Sequence, residues 1–320
     1  MKITLAEPLS VPKALIGTYA EKLAAQGHDF SSYDTVAASE EELIERSKGS
    51  DIVIIANHPY SDTVVRAVQE LKMIAVAFTG IDHVGVQACR EQGVTVCNAA
   101  GYSNQTVAEL VIGMAVAALR NLRKADQQLR AGGTSAGIGG KEICGRTVGI
   151  VGVGRIGLVT AKLFQAFGAK VIAYDPASPE MGEHSGIVYQ SLEEVLSRSD
   201  LVSLHLPLNE NTRGFINEER LALMKRDAVL INCARGPIVD NNALAEALNG
   251  DRLGYACIDV YDGEPPLAKD YPLLHAKNTL LTPHQAFLSE ESMVRRAEIT
   301  FGNVEKYLAG TPENVCVSLG

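Results

Sequence analysis

The sequence predicts an α/β fold of two doubly wound parallel-sheet domains, one inserted into the other. Three observations carry this. Apolar runs of strand length alternate with helix-like stretches over almost the whole chain, the pattern of βαβ units. The alternation is interrupted by the Gly/Ser-rich "AGGTSAGIGG", a loop by composition, and then restarts. The length, 320 residues, suffices for two cores.

In the first third the strands read "KITLAEP", "DIVIIANH", "MIAVAFTG" and "TVCNAA". Between them lie helical patterns such as "KALIGTYAEKLAAQG", in which Gly27 marks a C-terminal stop. "SNQTVAELVIGMAVAALRNLRKADQQLR" reads as one long helix. From Arg146 six further strand runs follow, "RTVGIVGV", "KVIAYD", "LVSLHLP", "AVLINCA", "YACIDVY" and "NTLLTPH", enough for a complete doubly wound sheet. After Ser289 the chain is helical again and ends in "TPENVCVSLG". The expected division is 1–100 with 287–320 as one discontinuous domain and 101–286 as the inserted one. No repeat or low-complexity tract is visible.

The formal charge of -9 speaks against a surface built for nucleic acid or anionic lipid, which needs clustered Lys and Arg. The N-terminal "MKITLAEPLS" has neither the apolar core nor the cleavage site of a secretory signal and reads as a first strand. "ELVIGMAVAALRNL" is too short an apolar run to cross a bilayer. Six cysteines lie scattered, with no C-x-x-C pair and no histidine at metal spacing, so no metal is expected. Buried, reduced thiols in a cytoplasmic protein fit this best.

The first stretch that carries chemistry is "VGIVGVGRIGLVTAKLFQAFGAKVIAYDP". Gly152, Gly154 and Gly157 spell G-x-G-x-x-G directly after a strand and at a helix start. That spacing serves a tight turn, close backbone approach to a pyrophosphate, and close helix packing, with helix N–H groups facing the diphosphate. Asp175 follows Gly157 by 18 residues at the end of the next strand, where a carboxylate accepts from an adenosine ribose. It would repel a 2′-phosphate, and no arginine follows in "YDPAS". NAD is therefore expected over NADP or a flavin. The bland alternative is a structural βα turn with a capping aspartate.

Ligands of such sheets sit outside the carboxyl ends of the strands. "INCARGPIVD", "CIDVYDGEPP" and "LLTPHQAF" place Arg235, Glu264 and His284 there. Each has an ordinary reading alone: a strand-end salt bridge, a solvated loop acid, a core or surface histidine. His205, in "SLHLP", reads as structural. Together the three suit reduction of a 2-oxo acid. The guanidinium fork takes the carboxylate, the histidine protonates the carbonyl oxygen, and the glutamate favours the charged imidazole.

At these residues the sequence resembles the D-isomer-specific 2-hydroxyacid dehydrogenases, the family of D-lactate, glycerate and phosphoglycerate dehydrogenases. The resemblance covers nearly the whole chain and rests on "GVGRIG", "YDP", "SLHLPLNENT", "NCARGPIVD", "DVYDGEPP" and "LTPHQA", in the family's order and spacing. It implies a Rossmann NAD domain inserted in a discontinuous flavodoxin-like substrate domain. It assigns the carboxylate to Arg235, orientation of the histidine to Glu264, and the acid/base role to His284. Asp259 would contact the nicotinamide side, and Arg155, Ile156, Leu206, Pro207, Thr212, Cys233 and Ala234 would line the dinucleotide cleft. In "AFTGID", the Gly80 and Ile81 amides would meet the substrate carboxylate, with Thr79 near the cofactor. In "NAAGYSNQTVAEL", Tyr102 would line the substrate pocket and Thr106 would approach the cofactor.

The domains of such proteins close on substrate, with hinges expected near 100–104 and 285–290, and the region from Asn104 helps form a homodimer. A departure concerns substrate. Phosphoglycerate-using relatives tend to carry an arginine where "DIVIIANHPYSD" offers Asn57 and His58, and often a regulatory extension, while this chain ends at Gly320. A small, unphosphorylated 2-oxo acid is the expected substrate. The competing reading from another class is an NAD(H)-sensing, corepressor-like binding protein, since fold does not settle function.

Overall fold

The computed structural model describes residues 1–175, 177 and 186–317. Pro176 and Ser178, part of the "YDPAS" reading, lie outside the described residues. The chain divides into two compact units, Met1–Ser103 with Leu288–Gly320, and Asn104–Phe287.

Unit 1 opens with β1 (Lys2–Leu5), α1 (Lys13–Ala25), β2 (Asp29–Ser32), α2 (Glu40–Ser47), β3 (Ile52–Ile55), α3 (Asp62–Ala67), β4 (Met73–Val76), α4 (Val86–Gln92) and β5 (Thr95–Asn98). "IVII" and "MIAV" are buried at every position, as strands covered on both faces must be. Ser39 and Ser61 start their helices by accepting from the third helical N–H. Gly27, just past α1, has φ 80°, the left-handed stop expected there.

Unit 2 runs through α5 (Asn104–Leu119), α6 (Leu122–Arg130), β6 (Thr147–Val151), α7 (Arg155–Ala166), β7 (Lys170–Tyr174), β8 (Val188–Tyr189), α8 (Leu192–Arg198) and β9 (Leu201–Leu204). It continues with α9 (Glu218–Leu223), β10 (Val229–Asn232), a 3-10 turn (Gly236–Ile238), α10 (Asn241–Asn249), β11 (Tyr255–Ile258), α11 (Pro272–His275) and β12 (Thr279–Leu281). The chain then returns to unit 1 with α12 (Glu290–Leu308) and β13 (Val315–Val317).

The sheet of unit 1 has the order β13-β5-β4-β3-β1-β2, the flavodoxin-like arrangement with an added edge strand. That edge strand, β13, pairs antiparallel with β5, an exception to the expected parallel pattern. The sheet of unit 2 has the order β12-β11-β10-β9-β6-β7-β8, a doubly wound Rossmann sheet extended by β12, and its strand pairs are all parallel. In unit 1, Ile3, Ile52, Ile54 and Met73 pack with Phe301 and Val304 of α12. In unit 2, Val111 and Ala115 of α5 and Phe164 of α7 cover one face, while Leu192, Leu221 and Leu244 cover the other. Burying each such Val, Leu or Ile contributes about 1.5–3 kcal/mol over leaving it exposed.

Two expectations are corrected. The single long helix from Asn104 is two helices. Asn121 takes φ 53° between them, and its amide Nδ2 donates to the Gly139 carbonyl, so a short polar side chain supplies the break without Gly or Pro. The thiols are not uniformly buried either: Cys89, Cys97 and Cys257 are, Cys233 is half-buried, and Cys144 and Cys316 are exposed. Among the described residues no helix is long and apolar enough to cross a membrane, and no three His, Cys, Asp or Glu side chains cluster as metal ligands.

Candidate active site

The glycine turn after β6 shows why each glycine is there. Gly152 has φ 95°, and a Cβ on it would lie 2.8 Å from the His205 carbonyl carbon. A Cβ on Gly157 would lie 2.1 Å from the Gly152 oxygen, so α7 could not pack so closely on the turn. A Cβ on Gly154 would meet nothing within 4 Å. Among the described residues the middle glycine thus faces open space at the start of α7, where the N-cap, Gly154, has no side chain to cap the N–H groups of Arg155, Ile156 and Gly157. A dinucleotide diphosphate fits this cradle: space, uncapped donors and the positive helix end coincide. Asp175, just past β7, accepts from Val153 N at 2.7 Å and from Ala177 N at 2.9 Å. Two accepted bonds leave a carboxylate with lone pairs for ribose hydroxyls.

Beyond β9 the loop of Leu206 and Pro207 is closed by Thr212, whose hydroxyl donates to the Pro207 carbonyl at 2.7 Å and accepts from Asn209 N at 2.8 Å. His205 pairs with the Ser203 hydroxyl at 2.8 Å, and burial pushes its imidazole down to about 4. It stays neutral, in keeping with a structural part.

The ends of β10, β11 and β12 lie side by side in the sheet. At the end of β10, buried Asn232 folds the turn: its Oδ1 accepts from Ala234 N at 3.0 Å and its Nδ2 donates to the Arg235 carbonyl at 3.0 Å. Arg235 is half-buried and donates from Nη1 to the Ala234 carbonyl at 2.8 Å. Gly236 then packs so tightly that a Cβ would stand 1.8 Å from the Tyr261 carbonyl oxygen. Cys233 points toward Met114, 3.7 Å between sulfurs, and burial pushes its thiol well up, which disfavours the thiolate.

At the end of β11, Asp259 is fully buried. Its carboxylate accepts from Gln285 N and Ala286 N, both at 2.9 Å, and from the Thr282 hydroxyl at 2.5 Å. Its carbonyl accepts from His284 N at 2.8 Å. The residue expected to face the cofactor therefore also builds the turn that presents His284. The Tyr261 hydroxyl adds a bond to the Thr282 carbonyl at 2.9 Å. Asn232, Gly236 and Tyr261 were missed by sequence reasoning; the small residue after Arg235 in "CARGP" was the available signal.

His284 sits in this turn at φ 54°, a left-handed conformation that histidine adopts more readily than most residues. Its Nδ1 meets both oxygens of Glu264, at 2.9 and 2.8 Å, and the Phe287 ring stands edge-on at 5.5 Å between centroids. An acceptor-only carboxylate at Nδ1 fixes the proton there, so in the neutral ring Nε2 is an acceptor and in the charged ring a donor. The imidazole is largely covered while Glu264 is 71% exposed.

The remaining residues belong to unit 1, apart from Thr106, which lies in the first turn of α5. Thr79 is exposed and Gly80 and Ile81 half-buried in the loop after β4, where the Thr79 carbonyl accepts from Asn98 Nδ2 at 2.7 Å. Tyr102, past β5, is 1% exposed, its ring 6.1 Å from that of Phe78.

A family model described as "D-isomer specific 2-hydroxyacid dehydrogenase, NAD binding domain" matches residues 112–286. A D-3-phosphoglycerate dehydrogenase of Methanocaldococcus jannaschii is 38% identical over 282 residues, covering 87% of this chain. The chain spans only about half of that relative, 53% of its length. A glycerate dehydrogenase of Methylorubrum extorquens is 37% identical over 301 residues, covering 90% of this chain and 92% of the relative. Among solved structures, an acyclic imino acid reductase in complex with NADPH and D-Arg superposes with a TM-score of 0.89 at 31% identity, covering 98% of this chain and 99% of that one. With the glycine cradle and the three strand-end turns in place, these likenesses establish that the chain belongs to the D-isomer specific 2-hydroxyacid dehydrogenase family, with NAD as its cofactor.

Proposed function

We propose that the protein reduces a small, unphosphorylated 2-oxo acid to the D-2-hydroxy acid, reversibly. The observation that carries this is the two-oxygen pairing of Glu264 with His284 Nδ1, which holds the ring plane and puts the acid/base exchange on Nε2. The NAD-sensing reading gives that pair no task. Bound at the cradle of Gly152, Gly154, Arg155, Ile156 and Gly157, with Asp175 at its ribose, the dinucleotide supplies the hydride.

Each protein group then has one role. Arg235 offers two parallel N–H groups to the substrate carboxylate and fixes the acid's orientation. By the family resemblance, the Gly80 and Ile81 amides and Tyr102 of unit 1 are proposed as further substrate-binding groups. His284 Nε2 gives its proton to the carbonyl oxygen as that oxygen gains charge, and takes it back in the oxidation direction. Glu264 holds the ring plane and faces its positive charge. Thr79, Thr106, Leu206, Pro207, Thr212, Cys233, Ala234 and Asp259 are proposed to border the cofactor.

Asn57 and His58 stand where phosphate-reading relatives tend to have arginine, and the His58 amide donates to Glu7 at 3.2 Å. That turn offers no fixed cation to a phosphate. Its lack supports glyoxylate, hydroxypyruvate, pyruvate or a branched 2-oxo acid as substrate. A homodimer is the expected assembly, and sedimentation as a monomer at micromolar concentration would contradict it.

The test is a steady-state assay of the purified protein with NADH and with NADPH against that panel, 3-phosphohydroxypyruvate, and the 2-oxo acids with ammonium. NADH-dependent formation of a D-2-hydroxy acid is expected. Preference for the phosphorylated acid, or formation of an amino acid instead, would overturn the proposal.

A further inference from the structure

Outside the proposed machinery, the least expected group in unit 1 is Arg296 on α12. It is 3% exposed, and its Nε has no hydrogen-bond partner among the described residues. A buried charge is costly, and an apolar residue of similar volume in such a place is often as stable or more so. Packing alone therefore does not explain an arginine here.

Its surroundings do. Arg296 Nη2 donates to the Leu9 carbonyl at 2.7 Å, and its guanidinium carbon stands 6.0 Å from the centroid of the buried Tyr102 ring. The buried carboxylate of Glu7, fixed by Ala56 N at 2.6 Å, and the Tyr102 side chain both favour its charge against the cost of desolvation. The preceding residue grips the same tyrosine differently: Arg295 Nε donates to the Tyr102 carbonyl at 3.0 Å. Further along α12, Asn303 Nδ2 donates to the Asn98 carbonyl at 2.7 Å. Three side chains of one helix thus hold the segment 98–102, which leaves β5 at the carboxyl end of the sheet, beside the loop of Thr79 to Ile81.

We propose that Arg296 is a positioning residue: with Arg295 it clamps Tyr102 and the segment 98–102 at the carboxyl edge of the unit 1 sheet, and so holds in place a segment to which the dehydrogenase reading gives substrate contacts. This rests on the dehydrogenase reading above. An apolar replacement fills the space but lets the tyrosine shift.

The test compares wild type, Arg296→Met, Tyr102→Leu, which removes the ring beneath the guanidinium, and the double variant. The measurements are KM and kcat over the 2-oxo acid panel, NADH affinity by fluorescence, melting temperature, and hydrogen exchange of the peptide spanning 98–103. Arg296→Met is expected to keep its melting temperature and NADH affinity, to raise KM by about tenfold with little change in kcat, and to speed exchange at 98–103. Its effect on KM should be largely absent in the Tyr102→Leu background. A lowered melting temperature with unchanged KM for every acid, or effects that simply multiply in the double variant, would overturn the clamp. Should Arg296→Met fail to fold, Arg296→Lys, which keeps the charge without the fork, must show the same KM rise and faster exchange; unchanged values refute the proposal. If wild type reduces no 2-oxo acid, the dehydrogenase reading fails by itself. Exchange at 98–103 then decides the clamp alone, faster exchange upholding it and unchanged exchange ending it.

Discussion

Glu264 and His284 meet through one ring nitrogen and two carboxylate oxygens, at 2.9 and 2.8 Å, across twenty residues of sequence. The glutamate is 71% exposed, so as an ion pair the contact contributes at most about 1 kcal/mol to folding. In the proposed mechanism its value is orientation. Glu264→Gln is therefore expected to leave the melting temperature unchanged and to lower kcat by about tenfold to a hundredfold, whereas His284→Ala should lower it by about 10²- to 10⁴-fold. NADH affinity should survive both. Near-normal turnover in the alanine variant would remove His284 from the acid/base role.

Arg235 tests the carboxylate site. The Asn232 side chain and the close contact of Gly236 with Tyr261 fix the backbone from which it projects. A lysine there would keep the charge and lose the planar fork, so Arg235→Lys should lower kcat/KM by about tenfold or more. If kcat/KM is unchanged, the substrate carboxylate binds elsewhere.

In the proposed reading Asp175 sets the choice between dinucleotides. One of its oxygens already holds Val153 N, and asparagine can keep that acceptor while removing the charge that repels a 2′-phosphate. Asp175→Asn is expected to raise the ratio of NADPH to NADH kcat/KM by about tenfold or more, the charge term being strong at short range. An unchanged ratio in paired initial-rate assays would show that another group excludes the phosphate.

How far the sequence could be read follows the physics of each element. Buried parallel strands such as Ile52–Ile55 announce themselves as unbroken apolar runs, so the alternation revealed most of both sheets. The "DFSS" of β2 is mostly exposed at an edge, β8 is two residues long, and β13 is a three-residue edge strand, so none carries a periodic signal. In the site, the glycine spacing and the His284 and Glu264 types were visible because chemistry restricts them. Asn232, Tyr261 and the turn-building role of Asp259 were not, since each acts by joining neighbouring strand ends, a relation that exists only once the sheet has formed. Arg296 was hidden for a related reason: in "VRRAEI" it reads as a solvated helix residue, and only the packing of α12 buries it.

His205 gives a prediction for stability. Burial lowers its imidazole from the ordinary 6.5 to about 4, and the folded protein holds it neutral beside Ser203. In the unfolded chain it takes up a proton near pH 6.5, so between about 4 and 6.5 the unfolded state binds more protons and stability must fall as pH falls. This contribution is complete above 6.5 and lost by about 4, at most about 3 kcal/mol in all. His205→Gln, which retains a hydrogen-bonding side chain but cannot ionise, should therefore lose less stability than wild type between pH 7 and pH 4.5. Urea unfolding at those two pH values checks it. An equal loss in both proteins would mean that the imidazole is solvated in the folded state, and that the β9 end is more open than its contacts with Ser203 and the glycine turn indicate.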